Sequence, residues 1–117
     1  MEKILYIDDE PINLMLFKSM FKKKYEVISA ESGEEGLIAL ENNHPEIKNV
    51  ICDMKMPRMS GLEFITVAKK KYPNINFYIL TGFEITEEIE IAIQTKLIKK
   101  YFQKPFKMQE IDIEISK

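Results

Sequence analysis

Short apolar runs and longer amphipathic stretches alternate along the whole chain. The apolar runs have the length and the composition of strands that are covered on both faces, and the first of them is Ile4-Leu5-Tyr6-Ile7. The later runs begin at Tyr25, Val50, Asn76 and Lys99. Each run is followed by a segment whose apolar residues recur at helical spacing. Strict alternation of strand and helix predicts a parallel sheet with helices on both faces.

Capping and stop signals bound the helices. Pro11 suits the first turn of a helix, and Ser32 with Glu35 forms a capping-box pattern at the start of the next one. Pro45 ends that second helix, because the residue before a proline avoids helical geometry. The tail beyond Met108 has apolar spacing that fits a strand or a helix, and the alternation favours a short last helix. The four earlier helices are predicted over residues 12–23, 33–43, 61–72 and 86–96.

The apolar residues of the first two helices predict which of their sides are buried. The first has an apolar arc broader than the usual one-sided stripe, formed by Ile12, Leu14, Leu16, Phe17, Met20 and Phe21. The simplest expectation is that most of this arc is core, and any part left exposed is a docking surface. In the second helix, the expected buried side is Leu37, Ile38 and Leu40.

Composition excludes several classes of protein. The 117 residues, 45% hydrophobic and 31% charged, fit one soluble domain over 1–117. The net charge of −2 lacks the positive excess that is typical of proteins that bind nucleic acid or an acidic membrane. The start lacks a signal-peptide pattern, and no apolar run is long enough to span a bilayer. The single cysteine, Cys52, fits a reducing compartment and is expected to be a packing residue, so the cytoplasm is the expected location. The single histidine, His44, is expected at the surface rather than on a metal.

Acidic and polar residues stand where four of the predicted strands end. Asp8 and Asp9 follow the first strand, Asp53 the third, Thr81 the fourth and Lys104 the fifth. Right-handed crossovers bring these strand ends to one edge of the sheet, where open α/β sheets bind ligands. Three carboxylates at one place repel each other unless a cation holds them, and oxygen ligands suit Mg²⁺.

A lysine and a threonine beside such a metal describe a pocket for a small anion, and a phosphoryl group is the natural candidate. One carboxylate can then act as a nucleophile and form an aspartyl phosphate. Asp53 is the best candidate, because it is the lone acid on its strand, whereas Asp8 and Asp9 look like a metal-binding pair.

Over essentially its whole length the chain resembles a receiver domain of a two-component response regulator. The matching motifs are Asp8-Asp9-Glu10, Asp53-x-x-Met56-Pro57-x-x-x-Gly61, Leu80-Thr81-Gly82 and Tyr101-x-x-Lys104-Pro105-Phe106. The resemblance implies a flavodoxin-like, doubly wound, five-stranded parallel sheet in the order 2-1-3-4-5, with five helices.

The resemblance also implies roles around the acceptor. Asp53 resembles the phosphoacceptor, which takes a phosphoryl group from a histidine kinase or a histidine phosphotransfer protein. Asp8, Asp9 and Asp53 resemble the Mg²⁺ ligands, together with the backbone carbonyl of Lys55. The protein is then a signalling phosphoacceptor that catalyses only its own phosphorylation and dephosphorylation, and is not an enzyme in the ordinary sense.

Three further residues resemble the parts that sense the phosphoryl group. Lys104 resembles the lysine that binds its oxygens, Thr81 the switch hydroxyl, and Tyr101 the aromatic ring that turns inward behind it. Phosphorylation would change the surface around the fourth and fifth helices. The downstream target is open, and a homodimer through that surface is expected from the resemblance alone.

Two stretches depart from the family pattern. The run Leu97-Ile98-Lys99-Lys100 replaces small residues before the fifth strand, so a distorted turn is expected there. Phe83 and Lys55 stand at positions that tune the lifetime of the phosphoryl group in the family. A bulky Phe83 that screens attacking water predicts slow hydrolysis.

Other functions remain open at this stage. A Mg²⁺-dependent phosphatase resembling the haloacid dehalogenase family needs a second acid two residues after its nucleophile, and Lys55 at that position argues against it. A receiver that acts without phosphate is disfavoured because the functional positions are intact. The chain fits a stand-alone receiver and also a piece of a longer protein, and the run Asp9-Glu10-Pro11-Ile12-Asn13 is reminiscent of receivers attached to hybrid sensor kinases.

Overall fold

A computed structural model shows five parallel strands in the order β2-β1-β3-β4-β5. The predicted fold class and strand order are confirmed. The structure describes residues 1–82 and 85–117, so Phe83 and the lifetime prediction attached to it lie outside the described residues. The strands are β1 (Glu2–Ile7), β2 (Tyr25–Ala30), β3 (Ile47–Asp53), β4 (Asn76–Thr81) and β5 (Lys100–Gln103). The helices are α1 (Pro11–Phe21), α2 (Gly33–Asn43), α3 (Gly61–Lys71), α4 (Glu87–Gln94) and α5 (Met108–Ile115), with a 3-10 turn (His44–Glu46) after α2.

The sheet separates two hydrophobic clusters, because successive strand residues point to opposite faces. Leu5 and Ile7 pack into the cluster under α2, α3 and α4. Ile4 and Tyr6 pack into the other cluster, under α1 and α5. Both faces of β1 are therefore buried, which is why its sequence is a continuous apolar run.

The burial expected for α2 is wrong at one position. Leu40 is buried, but the Ile38 side chain is 58% exposed. Gly36 occupies the sheet-facing side instead, and a Cβ added to it would lie 2.5 Å from Cδ1 of Ile7. The missing side chain lets α2 approach the sheet closely, and this orientation turns Ile38 toward solvent.

The expectation that most of the α1 arc is core is also wrong. Leu14, Phe17 and Phe21 are buried, and they carry the packing against the sheet. A helix that lies on a sheet buries one side, and α5 completes the cover of this face. The remaining apolar residues form an exposed row, called here the α1 stripe, which consists of Ile12, Met15, Leu16 and Met20.

Helix α4 ends at a residue in the left-handed conformation, and the distorted turn expected over residues 97–100 stays a prediction. Lys96 has a φ of 63°, and its N–H donates to the carbonyl of Ile93 at 3.0 Å. The N–H of Leu97 donates to the carbonyl of Ala92 at 2.9 Å, which completes the paired hydrogen bonds of a Schellman motif. Glycine is the usual residue at the left-handed position, because a Cβ there is strained.

Replacing Lys96 with glycine is therefore expected to stabilise the protein. Relief of the left-handed strain outweighs the greater freedom of glycine in the unfolded chain, and we expect a gain of about 0.5–1 kcal/mol in the free energy of unfolding. Chemical denaturation of wild type, Lys96→Gly and Lys96→Ala measures it. Lys96→Ala also loses the lysine side chain but keeps the Cβ, so an equal gain in both variants would contradict the explanation.

The helical assignment of the tail is confirmed, and α5 is held by a small polar network. The carboxylate of Asp112 accepts hydrogen bonds from Nζ of Lys24 at 2.8 Å and from the hydroxyl of Tyr25 at 2.7 Å. These contacts tie α5 to the start of β2.

His44 is exposed as expected, with its ring 4.9 Å from that of Tyr72. Among the residues described, no helix has the length and apolar content needed to cross a membrane.

Candidate metal centre

Three carboxylates meet at the carboxyl edge of the sheet. Asp8 directly follows β1, and Asp53 ends β3, the neighbouring strand. Asp8, Asp9 and Asp53 each place a carboxylate oxygen within 4.8 Å of the other two. Asp8 and Asp53 are buried, and Asp9 is partly exposed. The topology therefore brings together the three acids that the sequence analysis selected.

Lys104 joins this cluster from the end of β5. Its Nζ lies 2.9 Å from Oδ1 of Asp53 and 3.7 Å from Oδ2 of Asp8. The backbone of the same residue is fixed to β4, because its N–H donates to the carbonyl of Thr81 at 2.8 Å. The peptide bond between Lys104 and Pro105 is cis. One lysine thus stands against two of the three carboxylates.

The charges in the cluster do not balance. Burial raises the pKa of the Asp53 carboxyl, and Asp8 and Asp9 raise it further, while the hydrogen bond from Lys104 acts in the opposite direction. Burial lowers the pKa of Lys104, but Asp53, Asp8 and Glu10 outweigh that effect and the net pKa is raised. Each group therefore holds its proton more tightly than it would in water. An additional cation would relieve this excess of negative charge.

Asp8 is fully buried, and both of its oxygens accept hydrogen bonds. Oδ1 accepts from the backbone N–H of Glu10 at 3.0 Å, and Oδ2 accepts from the hydroxyl of Tyr6 at 2.8 Å. The sequence predicts only a core position for Tyr6, and this contact was not expected. The available signal was its position two residues before Asp8, because side chains two residues apart in an extended segment point to the same side.

A cavity of about 250 Å³ opens beside the carboxylates, large enough for a small anion. Lys55 and the buried Thr81 both line this cavity. Its lining residues are Glu10, Asp53, Met54, Lys55, Thr81, Gly82 and Lys104.

The loop after β3 lies tightly against the end of that strand. A Cβ added to Gly61 would lie 2.5 Å from the carbonyl oxygen of Asp53, so a side chain at this position requires the loop to move. The N–H of Gly61 donates to the carbonyl of Met54 at 2.9 Å. Gly61 therefore lets α3 begin immediately beside the carboxylate cluster.

Two other residues stand near the site with different roles. Tyr101 on β5 is half-buried and packs against the cluster under α2, α3 and α4, next to Ile79 in the strand register. Cys52 is fully buried, and burial raises the pKa of its thiol. Its Sγ lies 3.3 Å from the carbonyl oxygen of Asp53. A buried, protonated thiol is a packing residue, as the sequence predicts.

Comparison with known proteins decides the family. Residues 4–116 match the family model of the response regulator receiver domain. The chain belongs to this family. Among curated proteins, this receiver domain is 30% identical over 117 residues to sporulation initiation phosphotransferase F of Bacillus subtilis, with 99% of the chain and 92% of that protein covered.

Solved structures agree with this assignment. The receiver domain superposes with a TM-score of 0.93 on a response regulator receiver domain protein from Clostridium thermocellum, at 35% identity and with 99% and 92% of the two chains covered. The response regulator TrrA of Thermotoga maritima, solved in complex with Mg(2+)-BeF, gives a TM-score of 0.83 at 29% identity, with 99% and 97% covered.

Several curated relatives are longer than this chain. The receiver domain spans 47% of the alkaline phosphatase synthesis transcriptional regulatory protein PhoP of Bacillus subtilis, at 28% identity. It spans 21% of the hydrogenase transcriptional regulatory protein HoxA of Cupriavidus necator.

Proposed function

We propose that this receiver domain accepts a phosphoryl group on Asp53 in a Mg²⁺-dependent reaction. The observation that carries the proposal is the meeting of three carboxylates and Lys104 beside a small cavity. Of the three acids, Asp53 is the one whose carboxylate lies 2.9 Å from Nζ of Lys104, and it also lines the cavity. The membership of a family of signalling proteins supports the same reading.

The donor set fits Mg²⁺. Asp8, Asp9 and Asp53 offer only oxygen ligands, and they do so at one point of the sheet edge. The backbone carbonyl of Lys55 is proposed as a further ligand, since Lys55 lines the same cavity. When bound, Mg²⁺ would supply the positive charge that offsets the clustered acids and the phosphoryl oxygens.

The proposed chemistry is a single phosphoryl transfer. A carboxylate oxygen of Asp53 attacks phosphorus, the new bond is the Asp53 O–P bond, and the bond from phosphorus to the donor nitrogen breaks. The donor imidazole leaves with the electron pair of that bond and takes up a proton. Lys104 stays beside the oxygens of the transferred group, where its positive charge stabilises the charge that develops there.

The proposed response to the phosphoryl group uses Thr81 and Tyr101. Thr81 ends β4 and lines the cavity, and its hydroxyl is proposed to donate a hydrogen bond to an oxygen of the transferred phosphoryl group. Tyr101 lies on the neighbouring strand. A shift of both would change the surface of α4, β5 and α5, where Ile91 and Ile113 are exposed. That surface is proposed for a downstream target or for a homodimer.

The α1 stripe is proposed as the surface on which the phosphodonor protein docks. Its residues are about half exposed or more, apart from Met20 at 38%. A groove beside the stripe is lined by Leu16, Phe17, Met20 and Phe106, and it reaches Lys104. The groove therefore connects an exposed apolar surface to the acceptor site. The expected donor is a histidine kinase or a histidine phosphotransfer protein, which would place the reaction in the cytoplasm.

Leu16→Glu is expected to separate protein docking from chemistry. A charge in the apolar groove should slow phosphotransfer from a phosphorylated histidine donor by about tenfold or more, because docking would bury that charge without a partner. Labelling by acetyl phosphate should stay unchanged. Ile38→Glu on α2 is the matched control, since Ile38 is 58% exposed and Leu16 55%. Equal losses in the two variants would argue against docking on the α1 stripe.

Intact-mass analysis tests the function itself. Wild type incubated with acetyl phosphate and Mg²⁺ is expected to gain one phosphoryl group, whereas Asp53→Asn and a sample with a chelator are expected to gain none. Turnover of added phosphate esters would instead favour the phosphatase. We do not expect phosphatase activity, because position 55 holds a lysine where such a phosphatase needs its second acid.

A further inference from the structure

The hydroxyl of Tyr6 reaches from the hydrophobic core to the carboxylate cluster. Tyr6 is 1% exposed and lies on β1 in the cluster under α1 and α5, with its ring stacked on Phe17 at a centroid distance of 4.0 Å. Its hydroxyl donates to Oδ2 of Asp8 at 2.8 Å. Asp8 is itself fully buried. The hydrogen bond thus joins a core side chain directly to the carboxylate cluster.

Packing alone does not require this hydroxyl. Phenylalanine would fill the same space against Phe17 and would need no hydrogen-bond partner in the core. Tyr78, on the same face of the sheet, shows that a buried tyrosine in this fold need not reach the cluster, because its hydroxyl has no partner among the described residues. The hydroxyl of Tyr6 is instead aimed at the one acid of the cluster that is wholly removed from water.

We infer that Tyr6 is a positioning residue for the metal centre: its hydroxyl holds the Asp8 carboxylate in the orientation that ligates Mg²⁺. This inference rests on the proposed function, because it takes Asp8 to be a Mg²⁺ ligand. A carboxylate offers about four lone-pair positions. Tyr6 and the backbone N–H of Glu10 use one on each oxygen, and the remaining positions are left for the cation.

Loss of the hydroxyl has a definite consequence because of Lys104. Its Nζ is 3.7 Å from the same Oδ2 that Tyr6 contacts, too far for a good hydrogen bond. Without the hydroxyl, that oxygen is released to turn toward Lys104, and the tighter ion pair then competes with the cation. Partners that orient metal ligands typically change metal affinity by about 10- to 100-fold when they are removed.

The test is a Mg²⁺ titration by calorimetry on wild type, Tyr6→Phe and Tyr25→Phe. Tyr6→Phe keeps the ring and its stacking, and is expected to weaken Mg²⁺ binding by about tenfold. Tyr25→Phe is the matched control, because the buried Tyr25 also donates to an aspartate, Asp112, at 2.7 Å and far from the centre. It is expected to lose stability without a change in the dissociation constant for Mg²⁺.

A spectroscopic measurement on the wild-type protein does not depend on how well the variants fold. The ¹³Cζ signal of Tyr6 is expected to move during the Mg²⁺ titration, since its hydrogen-bond acceptor becomes a metal ligand, whereas the signal of Tyr25 should stay in place. Wild type that binds no Mg²⁺ would overturn the proposed function as well. Wild type that binds it, with an unchanged dissociation constant in Tyr6→Phe or a stationary Tyr6 signal, would overturn this inference alone.

Discussion

Replacing Lys104 with alanine is expected to slow phosphorylation of the receiver domain by acetyl phosphate by about 10- to 100-fold. The Nζ of Lys104 lies 2.9 Å from Oδ1 of Asp53, so it stands beside the place where the negative charge of the transferred group develops. Removing one such electrostatic donor from a site without water costs about 10²-fold or more, and the loss is expected to be smaller here because the Lys104 side chain is 30% exposed. Time-resolved intact-mass spectrometry at saturating Mg²⁺ measures the rate.

Lys107→Ala controls for the loss of a positive charge near the same loop. Lys107 is exposed and stands three residues after Lys104, at the start of α5. Its removal is expected to leave the rate within about twofold of wild type, since exposed charges act weakly through water. A Lys104→Ala protein that is labelled at the wild-type rate would contradict the role given to this lysine.

Addition of Mg²⁺ is expected to stabilise the receiver domain, and Asp9→Asn is expected to remove most of that gain. A ligand that binds only the folded state at about 100 times its dissociation constant adds about 2.7 kcal/mol to the free energy of unfolding. For a domain of this size the gain corresponds to a rise in melting temperature of about 10 °C or more. Asp9 is the most accessible of the three acids, so the variant is expected to fold normally.

Thermal melts with Mg²⁺, and with a chelator, measure the effect in wild type, Asp9→Asn and Glu41→Gln. Glu41 is an exposed acid on α2, outside the carboxylate cluster. Glu41→Gln should therefore keep the full stabilisation by Mg²⁺. Equal stabilisation of all three proteins would mean that the cation binds elsewhere.

The grouping of the site residues could be predicted from the sequence because it follows from the order and direction of the strands. Buried parallel strands read as continuous apolar runs, and an acid at the end of such a run is conspicuous. Once the alternation of strands and helices predicts a parallel sheet, the ends of β1, β3, β4 and β5 must share one edge. Asp53 and Lys104 are far apart in the chain, yet this rule alone brings them together.

The features that the sequence analysis missed depend on distances between elements. Ile38 has the spacing of a buried residue, but Gly36 lets α2 approach the sheet and changes which side faces it. The apolar arc of α1 does not reveal how much of it the sheet covers. Periodicity reports which residues share a face, and it carries no information on how many neighbours that face has.

Tyr6 shows the same limit at the site itself. In the sequence it is one member of an apolar run, and its two-residue spacing to Asp8 is the one sign that its hydroxyl could reach that acid. The contact follows from this two-residue spacing together with the complete burial of Asp8, and only the burial needs the structure. Lys96 is a similar case, since its left-handed conformation is seen only in the backbone geometry at the end of α4.

The proposed docking surface and the acceptor site form one continuous region. Phe17 belongs to α1, stacks on Tyr6, and lies 6.0 Å from the ring of Phe106 in the loop after β5. The groove that these residues line also includes Lys104. A donor protein on the α1 stripe would therefore approach the lysine that contacts Asp53, which is the direction that phosphoryl transfer requires.

The most direct test of the account identifies which carboxylate carries the phosphoryl group. The receiver domain is labelled with acetyl phosphate and Mg²⁺, reduced with borohydride, which converts an acyl phosphate to an alcohol, and mapped by peptide mass spectrometry. We expect the reduced residue at position 53 and unmodified aspartates at positions 8 and 9. Reduction at Asp8 or Asp9, or a labelled protein with no reduced aspartate, would contradict the assignment of Asp53 as the phosphoacceptor.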